Sequence, residues 1–428
     1  MQMISTDASP PPLLSFAYML AGVAGMAVAA ALLLWQPEAL LTRWHPAALA
    51  TVHVFALGGL MPVMLGALFQ FVPVACGLSL PRWGWGDVAL LLFLEGGAAS
   101  LATGFLTAAP GLYGAAGVLL LGALGAAGWR LLRALRAQAR QADVVGALSR
   151  SAVALGVTLL LAAVLLGILL FGWDLPLLTL VDWHALWAIG GWVAGLITGV
   201  ASVVVPMFHV SPAYPKFWLR ALRLQHWLLG GGLLAALLGW AGAGGAVSML
   251  LAALLLGFGG LTVQRVVVSK RGEKDAFYWG WLMVGVLAII LALVAVPACW
   301  AADPRWGVAF GVLALPGLGG FTVSVMLYRI VPFLIWLHWQ RANKARARLP
   351  LLHHIVPELG QRIHLGIELG SIVLLALGAF MPQMVSVAAA LLLAAKLLQF
   401  GLLAHAMRDF RQRLAVLRAL PPRSRVAA

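Results

Sequence analysis

Charge is scarce in this chain of 428 residues. Only 10% of its residues are charged, and Asp and Glu together number 13. A soluble domain carries about 25% charged residues, so this composition excludes a water-soluble globule. Cysteine is also scarce, with only Cys76 and Cys299. Two thiols cannot build a disulfide framework or a thiolate metal centre. They also fall at opposite ends of the expected spans, which excludes a bridge between them. The first residues, Met1 to Pro12, lack basic residues. The apolar run that follows is long enough to stay as a helix, so no secretory leader is evident.

Hydrophobic residues make up 63% of the chain. Crossing a bilayer as a helix takes about 20 apolar residues. Twelve runs meet that length, at 13–35, 48–75, 87–107, 113–133, 149–171, 184–206, 224–242, 247–268, 277–298, 307–332, 363–381 and 384–406. The expected fold is therefore all-α: a polytopic bundle of twelve transmembrane helices forming one domain. The connections are short.

The net charge of +15 could suggest a nucleic-acid partner, but its placement points elsewhere. Only Arg43 and Arg305 follow odd-numbered runs. The other basic residues lie in or beside the loops after even-numbered runs and in the C-terminal tail, as in Arg130, Arg133, Arg136 and Arg140, Lys270, Arg271 and Lys274, or Arg341, Lys344, Arg346 and Arg348. That is the positive-inside bias, and it predicts cytoplasmic termini. The basic tail (Arg408, Arg411, Arg413, Arg418, Arg423, Arg425) suits anionic lipid. The expected partner is the lipid bilayer, not nucleic acid.

One pattern occurs three times. Gly58 precedes Val72-Pro73, Gly191 precedes Val205-Pro206, and Gly317 precedes Val331-Pro332, with the same gap each time. The copies lie about 130 residues apart, which marks a threefold internal repeat. The repeats run over roughly 13–133, 149–268 and 277–406. They predict a pseudo-threefold arrangement about the membrane normal.

Histidine within a bilayer is costly and usually functional. His53 and His184 stand near the outer ends of the second and sixth spans. Imidazole there can ligate haem iron or copper, or simply bond a neighbouring helix. On the sixth span His184, Gly191, Gly195, Gly199 and Ser202 share a face, which could admit a macrocycle or another helix. On the inner side, His226 and His364 open the seventh and eleventh spans. Glu368 follows His364 by one turn, so His226, His364 and Glu368 are candidates for a metal site, or the His364–Glu368 pair for a proton relay. Glu95 and Lys396 also interrupt apolar runs. Glu95 is expected to be protonated or paired, and Lys396 to snorkel to the inner face.

Twelve spans, the threefold repeat, cytoplasmic termini, and histidines at His53 and His184 resemble the haem-copper oxidase subunit I superfamily. That superfamily includes the large subunits of nitric oxide reductases. The resemblance covers nearly the whole chain and lies in architecture more than in motif. It implies a multi-pass protein of a bacterial inner membrane, with His53 holding haem b and His184 a copper ligand. Electrons would come from a cytochrome c or a quinol, and other membrane subunits would be partners. The chain departs from the family in three places. The stretch Gly307 to Pro332 has no histidine, Trp240 stands where the family has a histidine pair, and Ala185-Leu186 replaces its Pro-Glu. An intact oxygen-reducing centre is therefore not expected. A looser similarity links the chain to NnrS-type membrane proteins. Haem binding in a redox, gas-sensing or nitric-oxide-related role is the leading expectation. A transporter, an assembly factor, or a structural subunit of a respiratory complex is the alternative.

Overall fold

A computed structural model describes residues 12–81, 83–136, 142–343 and 347–420. Arg140, Lys344, Arg346, Arg423 and Arg425 of the basic clusters lie outside the described residues, as does the stretch 1–11. Among the described residues every regular element is helical. Eleven helices are long and apolar enough to cross a membrane. They are α1 (Pro12–Trp35), α2 (Pro46–Val74), α3 (Trp85–Thr107), α4 (Pro110–Leu135), α5 (Asp143–Phe171) and α6 (Leu177–His209), then α8 (Ala243–Val267), α9 (Ala276–Trp300), α10 (Arg305–Ala342), α11 (Glu358–Gly378) and α12 (Pro382–Ala419). Between α6 and α8 runs α7 (Lys216–Leu237). It is the run expected as a seventh span, but its first half carries Lys216, Arg220, Arg223, Gln225 and His226. Large apolar side chains such as Val118, Leu160 and Leu293 lie exposed on the outside of the bundle, which suits contact with lipid.

Local chemistry sets the helix ends. Pro46 opens α2 behind His45, whose Nδ1 accepts from the Ala47 N–H at 3.1 Å. His45 thus serves as a cap. The helix continuing from α2 ends at Gly77, whose φ of 67° suits a residue without Cβ. Asp275 caps α9 through the Tyr278 N–H at 3.0 Å. Its carboxylate also pairs with Arg271 at 2.9 Å and with Arg329 of α10. Burial alone would raise the Asp275 carboxyl. Arg329, the Tyr278 N–H and Arg271 together hold it below its ordinary value.

Helices adjacent in sequence pack side by side, and the circuit closes where α1 packs on α12. Inside this ring, α2 and α6 both touch α10. Each of these three helices contains a π-helical segment, at Val54–Leu60, Leu186–Val193 and Leu313–Phe321. Gly58, Gly191 and Gly317 of the repeated pattern each sit within one, and Pro73, Pro206 and Pro332 follow in the α-helical stretch beyond. The segments meet in the interior. A Cβ on Gly319 would lie 3.0 Å from Leu60 and 3.6 Å from Val193.

A π turn spoils the regular i to i−4 pairing and leaves backbone carbonyls to be satisfied from outside. In the second repeat α7 does this. Gln225 donates to the Gly190 carbonyl, and His226 Nε2 lies 3.2 Å from the Gly191 carbonyl. Two of the polar residues that lower the hydropathy of α7, Gln225 and His226, therefore serve the wide turn of α6. In the first repeat Glu95 of α3 occupies the related place, since a Cβ on Gly58 would lie 3.3 Å from its Oε2.

Close glycine contacts join the pairs. A Cβ on Gly25 of α1 would overlap the Gly58 carbonyl, and one on Gly22 the Gly59 carbonyl. On α6, Gly191, Gly195 and Gly199 do share a face with His184. Helix α5 covers that face: Cβ atoms there would meet Ala154 at 2.8 Å, Ser151 at 2.7 Å and Ala147 at 2.8 Å. Helix packing fills the space that a macrocycle would need on this side.

Candidate functional site

Two groups of polar residues stand out in the apolar bundle. The first is the pair of histidines on α2 and α6. His53 Nδ1 lies 2.8 Å from the Leu49 carbonyl, and its ring packs 5.2 Å from Phe105 of α3. His184 Nδ1 lies 3.3 Å from the Thr158 carbonyl of α5. A carbonyl can only accept, so each Nδ1 carries the proton and each Nε2 keeps its lone pair. His209 and His338 make the same backbone contact, to Val205 at 3.1 Å and Leu334 at 2.8 Å. That contact alone does not mark a ligand. What separates His53 and His184 is their place, each just ahead of the π segment of its helix. Each ring thus keeps Nε2 as its lone-pair nitrogen.

The second group lies in the third repeat, where α10, α11 and α12 meet. Lys396 of α12 and Glu368 of α11 are both fully buried and form an ion pair through Glu368 Oε1. Lys396 Nζ also donates to Ser324 Oγ of α10 at 2.9 Å. Ser324 Oγ lies 3.2 Å from Glu368 Oε1 and 3.3 Å from Gln399 Oε1. One turn nearer the start of α11, His364 Nε2 sits 3.2 Å from Glu368 Oε2. Distance permits a hydrogen bond there but direction does not, so His364 Nδ1, His364 Nε2 and Glu368 Oε2 all lack partners. The Tyr328 hydroxyl also lacks one, with its ring edge-on to His364 at 5.5 Å.

This corrects one expectation and redirects another. Lys396 does not snorkel. It is 0% exposed, because a carboxylate at the same depth offers its ammonium a partner inside. The metal expected at His226, His364 and Glu368 meets a different arrangement. Glu368 already holds a cation, the Lys396 ammonium, and His226 is engaged with Gly191 in the second repeat. Among the described residues no three His, Cys, Asp or Glu converge.

Comparison with protein-family models and with curated proteins finds no match.

The ion pair, Ser324 and Gln399 were not assembled from sequence, although a signal was present. Glu368 and Lys396 stand at similar distances from the short turn between α11 and α12. Opposite charges at equal depth on a helical hairpin should meet. Glu95 remains separate. Its Oε1 is buried without a partner, and its Oε2 lies against the Gly58 backbone.

Proposed function

We propose that this chain is a twelve-span inner-membrane protein of the haem-copper oxidase subunit I-like type, carrying a redox cofactor on His53 and His184 and lacking an oxygen-reducing centre. The observation that supports it is the pair of half-buried imidazoles, each anchored through Nδ1 with Nε2 free. The donor chemistry fits haem, whose iron accepts axial histidine nitrogen. It also suits copper, which takes imidazole readily. Haem, the first choice, would supply reversible one-electron chemistry. The chain's own contribution is to fix both rings through the Leu49 and Thr158 carbonyls and to shield them from water. The covered glycine face of α6 leaves only the Nε2 side for a macrocycle. A redox, gas-sensing or nitric-oxide-related role follows, with a cytochrome c or quinol as donor and further membrane subunits as partners. A transporter or assembly factor on the same scaffold is the second reading. The buried Lys396–Glu368 pair favours it, because such pairs mark ion paths.

The purified protein is expected to show a Soret band that is lost or shifted in His53→Ala and in His184→Ala. His338→Ala should leave the band unchanged. A colourless protein after expression with ample haem would sink the haem assignment. Copper without a Soret band, lost in the same two variants, would move the pair to copper.

The twelve-span topology places both termini and the ends of α2, α6 and α10 on the cytoplasmic side, with the three repeats related by a pseudo-threefold axis. It rests on the basic-residue bias and on α7 crossing as a span. Reporter fusions at Pro382 and after Ala419 are expected on opposite faces. Finding both on one face would overturn it.

A further inference from the structure

The third repeat holds more buried polarity than packing requires. Glu368 lies about 15 Å along α11 from Glu358 at 1.5 Å per residue. That is half of a hydrocarbon core about 30 Å thick. A carboxylate and an ammonium here satisfy each other, and Ser324 and Gln399 complete the Lys396 side. The side toward the basic face is incomplete. There Glu368 Oε2, both nitrogens of His364 and the Tyr328 hydroxyl are buried and unpartnered. His364 and Glu368 are each 0% exposed, and Tyr328 is 2%. Leaving four such atoms unpaired would cost several kcal/mol in total. A gap of 3.2 Å between Nε2 and Oε2 is the length of one hydrogen bond needing only a small ring rotation.

We propose that His364 takes up a proton from water at the basic face and holds it against Glu368, so that the His364–Glu368–Lys396 cluster is a proton-loading site in the middle of the membrane. The inference is independent of haem. A hydronium ion gives its proton to His364 Nδ1 and leaves as water. The resulting imidazolium donates from Nε2 to Glu368 Oε2, while Lys396 keeps Oε1. One carboxylate then serves two cations, each on its own oxygen. The Tyr328 ring stands edge-on to His364 at 5.5 Å. Its neighbour Arg329, paired with Asp275, marks the basic end of the route. The groups facing His364 are Glu368 on its own helix, Tyr328 from α10 and Lys396 from α12. Helix α9 and the π segment of α10 also pack on α11 but bring no charge that acts on His364. Burial and Lys396 both oppose the second cation, and Glu368 Oε2, 3.2 Å from Nε2, is the acceptor that would hold it. The imidazole changes charge within the physiological range, which suits it to pick up and release a proton.

The test is solid-state nitrogen NMR of the full chain, labelled with nitrogen-15 at histidine, in liposomes of phosphatidylethanolamine and phosphatidylglycerol. His364→Gln assigns the resonances by their loss. In the wild type these should convert from the neutral to the doubly protonated form between about pH 8 and about pH 5, the range where imidazole titrates. Conversion should follow the pH on the basic face and ignore the pH on the other. In Glu368→Gln combined with Lys396→Met, which keeps volume and removes both charges, His364 should stay neutral over the same range. A wild-type His364 that stays neutral throughout overturns the proposal. So does a double variant that titrates like the wild type. Titration from the opposite face only overturns the entry route.

Discussion

Lys396→Ala is expected to destabilise the protein by about 3–5 kcal/mol, the usual cost of leaving one partner of a buried ion pair alone. Glu368 would then hold a charge at mid-membrane with only Ser324 near Oε1. Glu368→Ala should cost a similar amount, because the Lys396 ammonium keeps only Ser324 as a partner. The combination of Glu368→Gln with Lys396→Met should return to within about 1 kcal/mol of wild type or exceed it, since an apolar or neutral pair of like volume avoids the desolvation of two ions. Thermal and denaturant unfolding in detergent measures all three. If the double variant is as unstable as the singles, their losses come from packing and not from the lone charge. If Lys396→Ala is near wild type, the pair is solvated and the buried cluster is misplaced.

Gly25→Ala is the second large effect. Its new Cβ would collide with the Gly58 carbonyl, and backbone on both sides leaves no flexible atom to move aside. Overpacking of this kind costs about 1–3 kcal/mol for one methyl group, and Gly25→Val should abolish folded yield. Gly114→Ala supplies the comparison, because nothing lies within 4 Å of its Cβ. It should be neutral or slightly stabilising, as alanine favours helix. Equal losses at the two sites would show that α1 does not approach α2 as closely as described.

The spans could be read from sequence because hydrophobic length is a nearly sufficient cause of a membrane helix. Helix α7 is the exception that shows why this can fail. Gln225 and His226 look like polar intrusions until the carbonyls of Gly190 and Gly191 are seen to need donors. That need arises only from the π turn, which no periodicity of apolar residues announces. The repeated glycine and proline were visible, but not what the glycine accompanies. The histidines on α2 and α6 were visible for the same reason as Glu368: polarity is conspicuous against an apolar background. Their partners were harder to find. Lys396 was read alone, and alone its long stem permits an escape to the interface. Placing it opposite Glu368 requires the register of the α11–α12 hairpin. The glycine face of α6 was correctly gathered onto one side, yet composition could not tell a helix from a macrocycle as its cover.

The three π segments also carry a history. A π turn amounts to one residue inserted into an α-helix, and here it recurs beside the same glycine in each repeat. Three separate insertions at one site are a poorer account than one. If the repeats are copies of one four-helix unit, that unit already bore the extra residue before it was multiplied, and the third helix of each copy faces the same loose carbonyls. The surroundings differ: Glu95 lies beside Gly58, while Gln225 and His226 reach the Gly190 and Gly191 carbonyls. A related chain with the insertion missing from one repeat, and an apolar residue at the answering position, would instead point to separate gains.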